Sequence, residues 1–213
     1  MDCMKHWFSF PRVVVMSVVA SAVLALAVGP SGATSNSFNV TKVGASFALP
    51  AKWIHVPLKG ADINKILNSA SKDNPQLKSV LTTEVTQADK KGIIFFAFGS
   101  VAHDFLSNVN IIVTSAAGEP SGSSYYGDVV SQLKAQLPTG GFKDVHVSIR
   151  QLPMGKEIVV NYHLSEGAGR LPAQGLQIYA RHKDKFDIIT FTSTSQATDA
   201  AAAQVLEDSW KWN

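Results

Sequence analysis

What this chain has little of narrows it first. One cysteine, Cys3, occurs among 213 residues, and it precedes the first apolar run. Past the N-terminal segment there is no disulfide and no thiol chemistry. Charge is sparse, at 16% of residues, where an average domain has roughly 25%. The formal net charge is +3, and setting aside residues 1–33, with Lys5, Arg12 and Asp2, leaves +2. So mild an excess is too small to argue for nucleic acid or for an anionic membrane surface as a partner, and no nucleic acid is expected. Enzyme signatures are missing too. There is no His-Glu-x-x-His, no paired histidine cluster, no Gly-x-Ser-x-Gly, no phosphate loop and no dinucleotide fingerprint.

What is present begins with a leader. Lys5 and Arg12 precede the apolar run 13–28, Gly29-Pro30 breaks it, and Ser31-Gly32-Ala33 supplies small residues. That is the layout of a secretory signal. The run falls short of the ~20 residues that span a bilayer, so residues 1–33 are expected to be a cleaved signal peptide rather than a retained anchor. Membrane contact is expected only if the segment is retained. Without an Arg-Arg pair, the general secretory route is expected over twin-arginine export. Residues 34–37 form a polar linker, and 38–213 a single domain large enough to be held by its core alone.

Within the domain the periodicity alternates between the two kinds of element. Phe38 to Thr41, Phe47 to Pro50 and Trp53 to Val56 are short extended pieces. Ile63, Ile66, Leu67 and Ala70 form a helical stripe with Asp62 at its start. Asn74-Pro75 restarts a helix, and Leu77, Val80, Leu81 and Val85 continue its apolar face. Gly92 to Gly99 is an almost unbroken apolar run, expected to be a central strand buried on both faces. A loop is expected over Ser100 to Ser107, then a strand in which Val109, Ile111 and Val113 alternate with Asn108, Asn110 and Thr114. Ser115 to Ser124 is loop, and Tyr126, Val129, Val130, Leu133 and Leu137 form a helix capped by Ser124. Strands follow around Val145 to Arg150 and Ile158 to Leu164, then a loop over Ser165 to Ala173.

Gln174 to Ser195 reads as a hairpin in which neither face of the second run is cleanly polar, so both faces are expected to be covered. His182 to Lys185 are its loop. A last helix follows, capped by Thr198 or Asp199, with Ala202, Val205, Leu206 and Trp210 on one face. Strands joined mostly by short turns imply antiparallel pairing, not a doubly wound parallel sheet.

Isolated matches to reactive motifs carry little. His103-Asp104 and His163-x-x-Glu166 fall short of the three matched ligands of a catalytic zinc. Ser69-x-x-Lys72 and Ser131-x-x-Lys134 both fit Ser-x-x-Lys, but the partner motifs Ser-Asp-Asn and Lys-Thr-Gly are missing, and both pairs lie off the apolar stripes. Trp53 and Trp210 are expected in the core, and Trp212 on the surface. No catalytic residue, cofactor ligand or metal ligand is assigned.

Several short motifs, in order, carry a resemblance. Ser46-Phe-Ala-Leu-Pro-Ala-Lys-Trp53 looks like an F-x-L-P-x-x-W opening. Asn108-Val-Asn-Ile-Ile-Val113 looks like an N-V-N-V strand. Leu152-Pro153-x-Gly155, Gln177-Ile-Tyr179, Ile189-Thr-Phe191 and Ser209-Trp210 complete the set. Over residues 38–212 the chain resembles the PsbP/Mog-like superfamily, especially its exported actinobacterial members. The resemblance implies an α/β/α sandwich, with a central, mostly antiparallel sheet and helices on both faces. It implies a non-catalytic role, without cofactor or metal. Named members act as an extrinsic photosystem II subunit or as a partner of a small GTPase, and no residue of either interface maps onto this chain. The expected function is a secreted interaction module that binds a protein or cell-envelope component. The alternative is a carrier that holds a lipid or other apolar ligand between sheet and helices.

Overall fold

The computed structural model describes residues 35–58, 62–70, 81–82, 85–88, 91–102, 105–116, 123–164, 173–193 and 197–213. The leader 1–33, the restart at Asn74-Pro75 with Leu77 and Val80, His103-Asp104, Glu166, Lys72 and the stretches 117–122 and 165–172 lie outside these described residues.

Two antiparallel strands open the domain, β1 (Ser35–Val40) and β2 (Ala45–Pro50), followed by the brief β3 (Ile54–His55). Helix α1 (Asp62–Ala70) and helical residues at 81–82 and 85–88 lead to β4 (Ile93–Ala102) and β5 (Phe105–Ser115). Helix α2 (Ser123–Gln136) precedes four strands, β6 (Phe142–Leu152), β7 (Gly155–Leu164), β8 (Ala173–His182) and β9 (Lys185–Ser193). Helix α3 (Ala197–Ser209) and the short β10 (Lys211–Trp212) close the chain.

The strands form a seven-stranded sheet in the order β3-β4-β5-β9-β8-β7-β6 and a three-stranded sheet in the order β1-β2-β10, paired antiparallel throughout. The hairpin read from the sequence supplies β8 and β9, which sit inside the large sheet and are buried along nearly their whole length. Both faces of that sheet are covered. On one, Leu67, Leu81 and Val85 pack on Phe96 and Phe98, while Tyr125, Val129, Leu133 and Leu137 pack on Val160, Tyr162 and Tyr179. On the other, α3 and the small sheet bring Leu206, Trp210, Phe47 and Leu49 against Phe95, Ile111, Ile178 and Ile189. Phe47 and Trp210 stack with centroids 5.1 Å apart.

Several local readings change. The first strand starts at Ser35, so residues 35–37 are not a linker: they pair with Pro50, Leu49 and Ala48. Asn36 also donates from Nδ2 to the Ala51 carbonyl at 3.0 Å. The loop expected over Ser100–Ser107 is mostly strand, because a register shift after Phe98 lets Val101 pair with Leu106 and Ala102 with Phe105. The β8–β9 connection is only Lys183-Asp184, with His182 paired to Lys185 and Lys183 in the left-handed region at φ 58°. Tyr125, not Tyr126, heads the buried stripe of α2, and Ser124 lies within the helix. Thr198 and Asp199 likewise lie within α3. Trp53 and Trp210 are buried as expected. Trp212 is half-buried rather than free: its Nε1 donates to the Met154 carbonyl at 2.8 Å, and its ring stacks on His182 at 4.5 Å.

Candidate functional site

The face that carries α3 is incompletely covered toward β6. There a cleft of about 340 Å³ opens between β6, β7, β8 and the third turn of α3. Alternation along the strands sets its lining. His146 and Arg150 of β6, Asn161 and His163 of β7 and Gln174 of β8 point to this side, all of them exposed. Phe191 and Leu176 form its apolar floor, and Gln204 and Glu207 approach from α3. Gly175 borders the cleft where a Cβ would collide with the Tyr162 ring, so only glycine fits against that tyrosine.

Two polar side-chain contacts frame the cleft. The Arg150 guanidinium donates to both carboxylate oxygens of Glu207 at 3.0 Å each, a bidentate fork joining β6 to α3. Glu207 is almost wholly buried, whereas the Arg150 side chain is 42% exposed. His163 Nδ1 lies 3.2 Å from an Asp144 carboxylate oxygen at the β6 bulge, where Asp144 adopts φ 49°. Glu207 thus offsets the Arg150 guanidinium.

Two carboxylates outside the cleft lining are far more unusual. Glu157 of β7 and Asp187 of β9 are buried on the sheet. Asp187 pairs in register with Ala180, the strand neighbour of Arg181, whose N–H donates to Glu157 at 3.2 Å. Burial pushes the Glu157 carboxyl up to about 8, with the Arg181 N–H opposing and Asp187 reinforcing the shift. Burial pushes Asp187 up to about 7, with Lys185 opposing. Neither lines the cleft, and a group that no solute can touch is placed for neither acid nor base catalysis.

The sequence motifs do not converge on the cleft. Ser131 donates from Oγ to the Gly127 carbonyl at 2.9 Å, a bond internal to α2, and Ser69 is exposed on α1. His163 does line the cleft, but its pair is Asp144 rather than Glu166. Among the described residues, no three His, Cys, Asp or Glu side chains gather where a metal ion could be held. Sequence reading missed the Arg150–Glu207 fork and the buried acids. Asp187 had a signal, since it shares a strand face with Ile189 and Phe191. Glu207 had one too, since it lies four residues after Ala203 and three before Trp210, at helical spacing from both. No family model and no curated protein matches this chain. Solved structures do. Cyanobacterial PsbP (CyanoP) from Synechocystis sp. PCC 6803 superposes with a TM-score of 0.51 at 15% identity, over 89% of this chain and 99% of that one.

The chain has the PsbP fold.

The Ran-binding protein Mog1p of Saccharomyces cerevisiae also superposes, with a TM-score of 0.47 at 6% identity over 85% of this chain and 96% of that one. In the frame of the PsbP fold, the Asn108–Val113 motif is the central part of β5, and Leu152-Pro153-x-Gly155 makes the β6–β7 turn. These motif positions build the sheet, and none of their side chains lines the cleft.

Proposed function

We propose that this chain is an exported, non-catalytic interaction module whose cleft between β6, β7, β8 and α3 receives a polar segment of a protein or cell-envelope partner. The observation that carries the reading is the lining of that cleft: amides, histidines and a fixed guanidinium around a small apolar floor. Such a surface recognises by hydrogen bonds, and the Arg150–Glu207 fork holds its two walls together. A catalytic reading finds no support in it, because the strongly shifted acids are sealed in the sheet away from solvent. The carrier reading would favour a contiguous apolar pocket lined by aromatic and aliphatic groups, and this cleft is edged by polar ones. Export rests on the leader at residues 1–33.

The test is affinity capture from the envelope of the exporting cell, with mass spectrometry of both proteins and lipids. The expected result is one stoichiometric protein or glycan component that is lost when Asn161→Ala and Gln174→Ala are combined. Recovery of one stoichiometric lipid and no protein would overturn the reading in favour of the carrier.

A further inference from the structure

The large sheet ends in two unlike edges. At one, β3 is only two residues long, and shortness is a common protection against edge pairing. At the other, β6 runs for eleven residues and, among the described residues, pairs only with β7. Its side chains are mostly exposed, and Ile149, at 42%, is the most exposed large hydrophobic described. Val145 and Val147 lie half-buried on the same side of the strand. From Val145, the last residue of the bulge that follows Lys143, to Ile149 the strand holds neither proline, lysine, arginine nor carboxylate. The features that normally discourage strand addition flank this stretch and leave it open.

We propose that β6 is a homodimer interface, pairing antiparallel with β6 of a second copy about a two-fold axis at Val147 and joining the two large sheets into one. The chemistry of the strand is self-complementary about that residue. Val147 meets Val147, and Ile149 of each copy meets Val145 of the other, so the exposed isoleucine gains an apolar neighbour on both sides of the axis. His146 meets Ser148. Just beyond the ladder, Asp144 of one copy comes opposite Arg150 of the other. The Asp144 side chain is 72% exposed and the Arg150 side chain 42% exposed. The fork to Glu207 uses two guanidinium N–H groups, and a guanidinium has five. Neighbouring registers are poorer. An axis at Ser148 sets His146 against Arg150, and an axis at Ile149 sets Val147 against Gln151. The bulge falls at both ends of the ladder, where it limits pairing to the open stretch and discourages growth into a longer ribbon.

Cysteine scanning tests the register directly. In the full chain with Cys3→Ser, Val147→Cys places two thiols directly opposite one another, and the close end of the cross-strand Cβ separation, about 4.5 Å, meets the upper end of the span a disulfide bridges. Ile149→Cys places its two thiols well apart, on either side of the axis. The expected result is a disulfide-linked dimer under mild oxidation for Val147→Cys and none for Ile149→Cys. Sedimentation of the unsubstituted chain is expected to show a concentration-dependent dimer. Ile149→Lys, on the surface and checked for native circular dichroism, is expected to leave a monomer. A monomer at every concentration from micromolar to millimolar, or equal cross-linking of the two cysteine variants, would overturn the proposal.

Discussion

Asp187 shows how one side chain can tie stability to pH. It sits at an interior position of β9 with neither carboxylate oxygen hydrogen-bonded, and Ala180 opposite offers it only a methyl group. Its carboxyl is pushed from an ordinary 3.8 up to about 7, chiefly by burial. In the folded chain it holds its proton across a range where the unfolded chain has released it. Its contribution is therefore fully favourable below the unfolded value and is lost as pH rises through the folded value. At ~1.4 kcal/mol per pKa unit, the loss has a ceiling of about 4 kcal/mol. Glu157, raised from 4.5 to about 8, shifts in the same direction. The chain is thus expected to weaken between pH ~4 and ~8 in the part of its stability owed to these two groups. Asp187→Asn, which cannot ionise, is expected to flatten that slope and to be more stable than the unsubstituted chain at the alkaline end. Urea unfolding at several pH values measures it, and parallel curves for the two proteins would remove Asp187 from the account.

At the scale of elements, the joint between α3 and the sheet is polar at its rim and apolar beneath. Leu206 and Trp210 fix the helix on Phe47 and its neighbours, while Arg150 and Glu207 fix it to β6. Removing the guanidinium leaves the Glu207 carboxylate buried and uncompensated, so Arg150→Ala is expected to destabilise the chain by about 2 kcal/mol. That is below the cost of breaking a fully buried pair, because water reaches the exposed side of Arg150. Adding Glu207→Leu is expected to restore most of the loss, since the orphaned charge then disappears. Thermal unfolding of the single and double variants decides it: a double variant no more stable than Arg150→Ala would mean that the fork does more than satisfy Glu207. The joint also shows where sequence reading stops. The apolar stripe of α3 and the alternation of β6 were both legible, because each is periodic within its own element. That Arg150 and Glu207 meet was not, because 57 positions separate them and local spacing says nothing about contact across the fold. Asn108 and Asn110 illustrate the opposite difficulty. Alternating with Val109 and Ile111, they suggest a wet face, yet both are buried, because helices cover that side of the sheet.

For the molecule as a whole, the antiparallel sheet and its covered faces could be read from the sequence, since short turns and doubly apolar strands are local properties. The small second sheet could not, because it is completed by two residues from the far end of the chain. Lys211 and Trp212 pair with Ser46 and Ala45. The Asn213 N–H donates to the Gly44 carbonyl at 2.8 Å, and Trp212 reaches across to the Met154 carbonyl. The C-terminus thereby ties the β1–β2 hairpin and the β6–β7 turn to the hairpin that carries His182. Deleting residues 211–213 removes several hydrogen bonds, each worth about 1 kcal/mol, together with the half-buried Trp212 ring, worth a further ~1–2 kcal/mol. The sum lies near 4 kcal/mol, and at about 2–4 °C per kcal/mol for a chain of this size the melting temperature is expected to fall by about 10 °C. Trp212→Phe, which keeps an aromatic ring but loses the Nε1 donor and part of the indole's packed area, is expected to lose about a third to a half of that. The two variants separate the strand from the side chain. If truncation left the melting temperature unchanged, β10 would contribute nothing to the fold. If Trp212→Phe cost as much as truncation, the bond to Met154, rather than the pairing with β2, would hold the terminus in place.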